Sequence, residues 1–391
     1  MSCIENTDIE SVSEKTEIDS WEELNVRQEL LRGIYAYGFE VPSPIQRKAI
    51  LHLINKKDII AQAQSGTGKT GCFTIGILQQ IDLSIQSPQA LVLAPTRELA
   101  QQTKTVIDSI GKLFKNLRTQ LLVGGTSTEE DSRKLLNSPP HVVIGCPGRV
   151  HDMIRRKKFK TNELAMIVLD EADEMLSSGF KEQVYNIFQF LKKDIQVGLF
   201  SATMPDSLNT LTDKFMRTPT RVLVKSEQLT LEGISQHFIA LENDDQKYET
   251  LKDLYGVLAL SQCIIYCNSV KRVQDLYEAM VEDSFPVCHL HSSMTKEERD
   301  KSFKEFSSGN TRVLISSNVT ARGIDIQQVS TVINFDIPKC VHTYLHRIGR
   351  SGRWGRKGTG INFVTRRDTR HMREIEQHYH TTITELPANF K

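Results

Sequence analysis

The sequence contains no long apolar run and no closely spaced pair of cysteines. No stretch approaches the roughly 18 apolar residues that a membrane-spanning helix needs. The seven cysteines are scattered, odd in number and without a CxxC pair, so neither a disulfide framework nor a zinc site is expected. The N-terminus is acidic and lacks the apolar segment of a secretion signal. These absences predict an intracellular protein without a membrane partner, cytoplasmic or, alternatively, nuclear.

The chain also has almost no net charge, because 49 Lys and Arg residues oppose 48 Asp and Glu residues for a net charge of +1. The distribution is uneven: residues 1–30 carry nine acidic and two basic side chains, whereas residues 339–373 carry ten basic side chains against Asp368 alone. Such a local excess needs an anionic partner or a solvated surface. Here the arginines at 347, 350 and 353 recur every third residue among glycines, which a solvated surface does not require.

Short apolar runs alternate with helix-like stretches along most of the chain. With 39% apolar and 25% charged residues, the 391-residue chain has the composition of an ordinary globular enzyme of two or three domains. The alternation predicts an α/β fold with doubly wound parallel sheets. Strands are predicted at 58–61, 90–94, 141–144, 165–169 and 196–200, then at 263–267, 287–290, 313–316, 329–334 and 360–364, and helices at 97–113 and 181–191.

One polar stretch, residues 224–234, interrupts this alternation and predicts a domain boundary near residues 225–232. Each side of the boundary is long enough to bury a core of its own. The predicted organisation is a mobile acidic segment over residues 1–19, a first domain over 20–226, a linker over 227–232 and a second domain over 233–391.

The sharpest local motif is Ala-Gln-Ser-Gly-Thr-Gly-Lys-Thr at 63–70, between a predicted strand and a helix-like segment. A glycine-rich loop in this setting aims backbone N–H groups at phosphates. Lys69 would neutralise the β- and γ-phosphates, and the Thr70 hydroxyl would bind Mg²⁺. A glycine-rich turn with an exposed lysine is the alternative. The nucleotide-binding interpretation covers Ala63, Gln64, Ser65, Gly66, Thr67, Gly68, Lys69 and Thr70.

A second motif places two adjacent carboxylates directly after the predicted strand at 165–169. In a parallel sheet this end lies beside the phosphate loop. Asp170 can hold Mg²⁺ through water, and Glu171 can orient and deprotonate an attacking water. An acidic helix cap is the alternative. The pairing with Lys69 and Thr70 favours nucleotide hydrolysis.

The sequence Asp-Glu-Ala-Asp at 170–173, behind this phosphate loop, resembles the DEAD-box RNA helicase family. The family's other motifs follow in order over about residues 20–391. The first of these motifs is found at Trp21, 38–39 and 42–46. The others are found at 95–100, 124–125, 146–149, 201–203, 264–269, 321–325 and 346–353. Segments 30–40, 230–234 and 356–358 look most similar to the translation initiation factor 4A subgroup.

The resemblance implies two RecA-like domains with ATP and RNA bound across the cleft between them. RNA-stimulated ATP hydrolysis would be coupled to cleft closure and local duplex unwinding, in translation initiation or mRNA processing. The RNA would be single-stranded or a short duplex. The protein would act as a monomer, with scaffold proteins that bridge the two domains as further partners.

On the nucleotide side, the resemblance implies a role for each matched residue. The amide of Gln46 offers one donor and one acceptor to the N6 and N7 edge of adenine, which predicts ATP over GTP. Phe39 and Trp354 would sandwich the adenine, and Asp325 would contact the ribose. The implied catalytic residues are Lys69, Glu171, His346, Arg350 and Arg353, with the two arginines reaching the γ-phosphate from the second domain. Asp173, Ser201 and Thr203 would couple the two sites.

On the RNA side, the implied contacts are mostly to the backbone. Glycine N–H groups and arginines read phosphates and 2′-hydroxyls rather than bases, so binding would be independent of sequence. Without the motif series, each arginine would read as ordinary surface charge. The implied contacts are Arg97, Gly124, Gly125, Pro147, Gly148, Arg149, Ser269, Arg299, Arg322 and Gly323.

The chain departs from the family pattern near the RNA side. Cys146 stands where the family has threonine, Ser292-Ser293 where it has Gly-Asp, Lys296 where it has glutamine, and Asn318 where it has an acid. These departures put the strength of RNA binding, and its coupling to hydrolysis, in question.

Two other functions are compatible with parts of the sequence. One is an ATP-dependent RNA clamp or scaffold with little turnover, which RNA-stimulated phosphate release would distinguish. The other is a DNA-directed translocase, against which the unbroken motif at 170–173 and Gln46 both argue.

Overall fold

The computed structural model describes residues 16–63, 66–177, 179–204, 206–223, 234–258, 261–318, 329–351 and 358–387. Within these ranges the strands form two seven-stranded sheets, and every strand pair is parallel. Helices flank both sheets. The predicted α/β class with doubly wound parallel sheets is confirmed.

The first sheet is built from the strands of the first half of the chain. They are β1 Ile59–Gln62, β2 Ala90–Leu93, β3 Thr119–Leu122, β4 Val142–Gly145, β5 Met166–Asp170, β6 Gln196–Ser201 and β7 Thr220–Leu223. Their order across the sheet is β3-β4-β2-β5-β6-β1-β7. The inner strand β2 is apolar throughout because it is covered on both faces: Val92 packs into one core cluster, and Leu91 and Leu93 pack into the other.

Two helices of the first half precede β1, and the others lie in the connections between the strands. In chain order the helices are α1 Gln28–Ala36, α2 Pro44–Ile54, α3 Lys69–Gln80, α4 Arg97–Ile110, α5 Thr128–Asn137, α6 Pro147–Arg155, α7 Ala172–Ser177, α8 Lys181–Gln189 and α9 Asp206–Phe215. Each helix that follows a strand begins at the carboxyl end of that strand, so their first turns share one edge of the sheet.

The second half repeats this plan. Its strands are β8 Ile234–Ala240, β9 Gln262–Tyr266, β10 Val287–Leu290, β11 Val313–Ser316, β12 Val329–Asn334, β13 Gly358–Val364 and β14 Thr384–Glu385, in the order β10-β11-β9-β12-β13-β8-β14. Its helices are α10 Asp245–Leu258, α11 Val270–Glu282, α12 Lys296–Ser307, α13 Val341–Ile348 and α14 Thr369–Tyr379.

Each of the predicted strands has a counterpart within two residues of its predicted bounds. The two predicted helices correspond to α4, extended by a 3-10 turn at Gly111–Leu113, and to α8. The sequence missed β3, β7, β8 and β14. Of these, β3, β7 and β14 are outermost strands of the sheets, where one-sided exposure favours polar residues that hide an apolar run.

The N-terminal boundary differs from the prediction. Ile18 is buried, and its N–H donates to the carbonyl of Arg47 at 3.1 Å. Asp19 forms an ion pair with the Arg47 side chain. The packed first domain therefore includes residues that were expected to be mobile, while residues 1–15 and the predicted linker at 227–232 lie outside the described residues. Within the described ranges, no helix is both long and apolar enough to cross a membrane.

Candidate functional site

The phosphate loop delivers Lys69 to the interior of the first domain. Gly68 caps helix α3 with a φ of 99°, a left-handed conformation that favours glycine. A Cβ at this position would lie 2.7 Å from Nε2 of Gln46, so a larger residue would also collide with its neighbour. Lys69 is 5% exposed, and its Nζ lies 3.2 Å from Oε1 of Glu171. Gln64 and Ser65 lie outside the described residues.

Two carboxylates lie at the carboxyl end of β5, Asp170 as its last residue and Glu171 directly after it, and both are buried. Asp170 and Glu171 are each 2% exposed. Burial and the adjacent Glu171 together raise the pKa of Asp170 to about 7, although Lys69 acts in the opposite direction. Oε2 of Glu171 is buried with no hydrogen-bond partner among the described residues. The pocket thus concentrates oxygen ligands and negative charge, a chemistry that suits a hard divalent cation.

Asp173 connects the two halves of the chain. In the first half, Thr203 Oγ1 donates to Asp173 Oδ2 at 2.6 Å, and the Asp173 N–H donates to Ser201 Oγ at 3.4 Å. From the second half, Nε2 of His346 lies 3.3 Å from the same Oδ2. Asp173 and His346 are 3% and 2% exposed. A buried carboxylate is therefore held from both sides of the interdomain cleft.

Arg350 enters the same pocket from the second half. Gly349 and Arg350 line a cavity together with Lys69, Thr70 and Glu171. Arg350 is 5% exposed, and burial lowers the pKa of its guanidinium. Its Nε donates to the carbonyl of His346 at 3.2 Å, which ties the two side chains together. Asp325, Arg353 and Trp354 lie outside the described residues.

Gln46 is buried beside Gly68 and Gly71, two residues that line the cavity, and its amide is partly used by the protein. Its Oε1 accepts from the N–H of Ser43 at 2.8 Å, and its Nε2 donates to the carbonyl of Gly68 at 3.1 Å. The first contact belongs to a capping box at the start of α2. The amide retains one N–H and one lone pair for a ligand. The spacing of Ser43 and Gln46 was a signal for this cap that the sequence interpretation did not use.

Aromatic side chains lie at the part of the cavity that Gly71 lines. Phe39 and Tyr37 both line it, and their rings meet edge to face with centroids 4.8 Å apart. Trp21 is fully buried and stacks on Phe39 with centroids 6.2 Å apart. The sequence identified Phe39 and Trp21 but missed Tyr37.

The first-domain motifs that the resemblance assigns to RNA binding form one surface. Gly125 has a φ of 81°, and a Cβ there would lie 3.1 Å from Nη1 of Arg97. Gly124 and Gly125 are exposed, as is Gly148 in the first turn of α6, whereas Pro147 is buried. The structure therefore brings together the loops after β2, β3 and β4, which the sequence grouped only by resemblance.

Arg149 lies in this surface but is bound by the protein itself. Its Nη1 and Nη2 donate to Oγ1 and the carbonyl oxygen of Thr126, each at 2.9 Å, and Nη1 also forms an ion pair with Asp131. The side chain is 12% exposed. Arg149 therefore fixes the loop after β3, and the sequence missed its partner Asp131.

Arg299 makes a second contact between the two halves. Its Nη2 lies 2.6 Å from Oε1 of Glu98, and the two side chains are 14% and 10% exposed. Ser269 is the exposed N-cap of α11 and accepts from the N–H of Arg272 at 3.3 Å. Arg322 and Gly323 lie outside the described residues. The sequence gave no indication of the Glu98 partner.

The departures from the family pattern have different surroundings. Cys146 is half-buried, and burial raises the pKa of its thiol to about 12, so it stays protonated at neutral pH. Ser292 and Ser293 are exposed. Asn318 Oδ1 accepts two hydrogen bonds from Arg347, at 3.0 and 2.7 Å. The geometry therefore does not indicate that asparagine at position 318 weakens the contact with Arg347.

The basic stretch at 339–373 is only partly a surface. Arg347 is fully buried and Arg350 nearly so, whereas Arg366, Arg367, Arg370 and Arg373 are exposed. The expectation of an anionic partner or a solvated surface is therefore wrong for Arg347, which finds its hydrogen-bond acceptors inside the second domain.

Comparison with known proteins finds matches to helicases over nearly the whole chain. The DEAD/DEAH box helicase model matches residues 43–211, and the helicase conserved C-terminal domain matches residues 246–355. The ATP-dependent RNA helicase eIF4A of Chaetomium globosum is 54% identical over 381 residues, which cover 97% of this chain and 95% of that protein. The ATP-dependent RNA helicase fal1 of Schizosaccharomyces pombe is 50% identical over 386 residues, covering 99% and 98%.

A solved structure of S. cerevisiae Dbp5 bound to RNA and ADP BeF3 superposes with a TM-score of 0.89 at 36% identity, covering 95% of this chain and 96% of that one. The match spans both sheets and confirms the two RecA-like halves. The chain therefore belongs to the DEAD-box family of ATP-dependent RNA helicases.

Proposed function

We propose that ATP and RNA bind on opposite sides of one cleft and that Asp173 links the two sites. The observation that carries this proposal is the position of Asp173 between Thr203 of the first half and His346 of the second half. A contact of this kind exists only when the halves are together. Closure of the two halves on ATP and RNA would form this contact, and product release would break it.

The nucleotide is proposed to lie along the cavity from Phe39 to Glu171. The remaining donor and acceptor of Gln46 suit adenine, and the amide groups around Gly66 and Gly68 suit the phosphates. Lys69 would exchange its contact with Glu171 for the phosphate oxygens. The other proposed nucleotide contacts, Ala63, Gln64, Ser65, Thr67, Asp325 and Trp354, are carried over from the resemblance.

Mg²⁺ fits the oxygens of Thr70 and Asp170, and it would neutralise phosphate charge there when bound. The carboxylate of Glu171 is proposed to accept a proton from the attacking water. Once Lys69 turns to the phosphates, both oxygens of Glu171 are available for that water. Arg350, with Arg353, would stabilise the charge that develops as the γ-phosphate leaves.

RNA is proposed to run across the loops after β2, β3 and β4 and then over the second half near Ser269 and Arg299. Exposed glycine N–H groups at 124, 125 and 148 would donate to phosphate oxygens. Arg149 is proposed to act by holding the loop after β3, because its guanidinium is already paired with Asp131. The remaining proposed contacts are Arg97, Pro147, Arg322 and Gly323.

The wider assignments follow from family membership and are proposals. We assign the first domain to residues 20–226, against which Ile18 and Asp19 also pack, the linker to 227–232 and the second domain to 233–391. The protein would act as a cytoplasmic monomer in translation initiation or mRNA processing, with scaffold proteins that bridge its two domains as partners.

The proposed link through Asp173 can be tested by removing one hydroxyl. Thr203→Val keeps the side-chain shape but deletes the hydrogen bond to Asp173. A hydrogen bond to a charged group contributes about 1.5–3 kcal/mol, so RNA-stimulated phosphate release should fall by about 10- to 100-fold. Thr74→Val is the matched control, because Thr74 is fully buried and its hydroxyl has no partner among the described residues. Equal rates for the two variants would contradict the link.

A further inference from the structure

The guanidinium of Arg347 lies in a cage of neutral acceptors. It is fully buried, and its face covers the Tyr266 ring with 5.1 Å between Cζ and the ring centroid. All five of its N–H groups are directed at oxygens. These hydrogen bonds run from Nε to Asn318 Oδ1 (3.0 Å), from Nη1 to Asn334 Oδ1 (3.1 Å) and the Asp336 carbonyl (2.8 Å), and from Nη2 to Asn268 Oδ1 (2.9 Å) and Asn318 Oδ1 (2.7 Å).

The carboxylate of Asp336 is nearby but committed elsewhere. Arg272 binds both of its oxygens at 2.7 Å, and Lys247 lies 3.3 Å from one of them. Within the described parts of the chain, the buried cation of Arg347 therefore depends on amide oxygens and one carbonyl. Asn318 accepts two of the five bonds and so fixes the guanidinium more than either other asparagine does.

These bonds also fix the orientation of the Asn318 amide. Because Oδ1 must face the guanidinium, Nδ2 lies on the other side of the amide. Asn318 is an exposed residue, and no described residue accepts a hydrogen bond from its Nδ2. Asn268 differs, since its Nδ2 donates to the carbonyl of Ile337 at 2.8 Å. Among the described residues, the Nδ2 of Asn318 therefore stands as an amide donor without an acceptor at an exposed position.

This donor lies on the cleft side of the second sheet. Asn318 follows the carboxyl end of β11, next to β10 and β9 in the sheet. Its Oδ1 shares Nη2 of Arg347 with Asn268, the residue directly before Ser269. Asn318 is thus a close neighbour of the loop that is proposed to bind RNA.

We propose that Asn318 binds the RNA backbone, with Nδ2 donating to a phosphate oxygen while Oδ1 holds Arg347. The inference rests on the RNA path proposed above. An acid at this position would hold Arg347 equally well but would turn its second oxygen, a negative acceptor, toward the phosphate. Asparagine adds an RNA contact that a carboxylate does not offer. The same residue connects that contact, through Arg347, to helix α13 and its His346.

The test replaces the amide by a carboxylate at the two ends of one strand. Asn318→Asp keeps both acceptors for Arg347 but exchanges the outward donor for a negative charge. Asn310→Asp adds the same charge at an exposed position before β11, at the opposite end of the strand from the cleft. Binding of fluorescent single-stranded oligouridylate would be measured with AMP-PNP and Mg²⁺, alongside thermal unfolding.

We expect Asn318→Asp to weaken RNA binding by about tenfold, an effect that shrinks as salt rises. Its unfolding midpoint should not fall, and Asn310→Asp should bind RNA as the unmodified chain does. Equal RNA affinity of Asn318→Asp and the unmodified chain would overturn the inference alone, as would an equal loss in Asn310→Asp. Failure of the unmodified chain to bind RNA would overturn the proposed RNA path together with it.

Discussion

Charged groups are arranged differently at the proposed nucleotide site and at the proposed RNA surface of the cleft. On the nucleotide side, Lys69, Glu171 and Asp170 are buried together, and the protein leaves oxygens and a cation that a ligand can engage. On the proposed RNA side, Arg149 and Arg299 are already paired with the carboxylates of Asp131 and Glu98. The charged groups of the proposed nucleotide site can therefore exchange their contacts for contacts with a ligand. The two arginines of the proposed RNA surface instead hold neighbouring segments of the protein together.

This difference bears on specificity. A buried site that must satisfy each charged or polar group discriminates strongly between ligands, because a wrong ligand leaves groups unpaired. A surface of glycine N–H groups and amide donors accepts any phosphate backbone. The chain should thus be selective for its nucleotide and tolerant of RNA sequence.

The largest effect is expected at Arg350, where the second domain enters the nucleotide pocket. Arg350→Ala should lower RNA-stimulated turnover by roughly 10³-fold or more, in the range of arginine fingers in other nucleotide hydrolases, with a much smaller change in ATP affinity. Steady-state phosphate release and nucleotide titration would measure the two quantities. Arg370→Ala is the control, since its side chain is 87% exposed and pairs only with Glu374 among the described residues. A loss of affinity as large as the loss of turnover would contradict the proposed role.

Glu171→Gln should separate closure from hydrolysis. The amide keeps the size of the side chain but cannot accept a proton from water, and general bases contribute about 10²–10⁴-fold to rate. Because closure needs only binding, the variant should accumulate in an ATP- and RNA-bound closed state. Fluorescence transfer between one dye on each domain would report this state. A variant that reopens as quickly as the unmodified chain would count against Glu171 as the base.

The interdomain pair on the RNA side should contribute less. If Glu98 and Arg299 act as a pair, a double-mutant cycle with alanine at each position should give a coupling free energy of about 1–3 kcal/mol for closure on RNA and AMP-PNP. Because the ion pair is largely shielded from solvent, either single variant should lose about as much free energy of closure as the double variant. Additive losses would mean that Arg299 acts on RNA independently of Glu98.

The smallest effect is expected at Gln46. The base contact predicts that ATP is preferred to GTP by about tenfold or more and that Gln46→Ala removes the preference. Because the same side chain completes the cap of α2, the variant should also lose about 1 kcal/mol of unfolding free energy. Competition binding and denaturant unfolding would measure the two effects. An unchanged preference would assign Gln46 to the helix cap alone.

The sequence predicted those parts of the molecule that depend on neighbours along the chain. Apolar runs indicated the central strands, and the loop at 63–70 indicated the turn into α3. Contacts between distant segments were different. Nothing in the local pattern showed that Arg347 is buried, since its acceptors lie at or just after the carboxyl ends of β9, β11 and β12. The partners of Arg149 and Arg299 were missed for the same reason, and only resemblance grouped the RNA loops.

The shared pocket is the central claim, and a comparison of two chains tests it directly. Single-turnover ATP hydrolysis with saturating RNA would be measured for the full chain and for residues 1–226. The first domain carries Lys69, Thr70, Asp170 and Glu171, so we expect the fragment to bind ATP, which also verifies its fold. It should not show RNA-stimulated hydrolysis, because Arg350 and His346 are missing. A fragment that hydrolyses ATP as fast as the full chain would contradict the shared pocket.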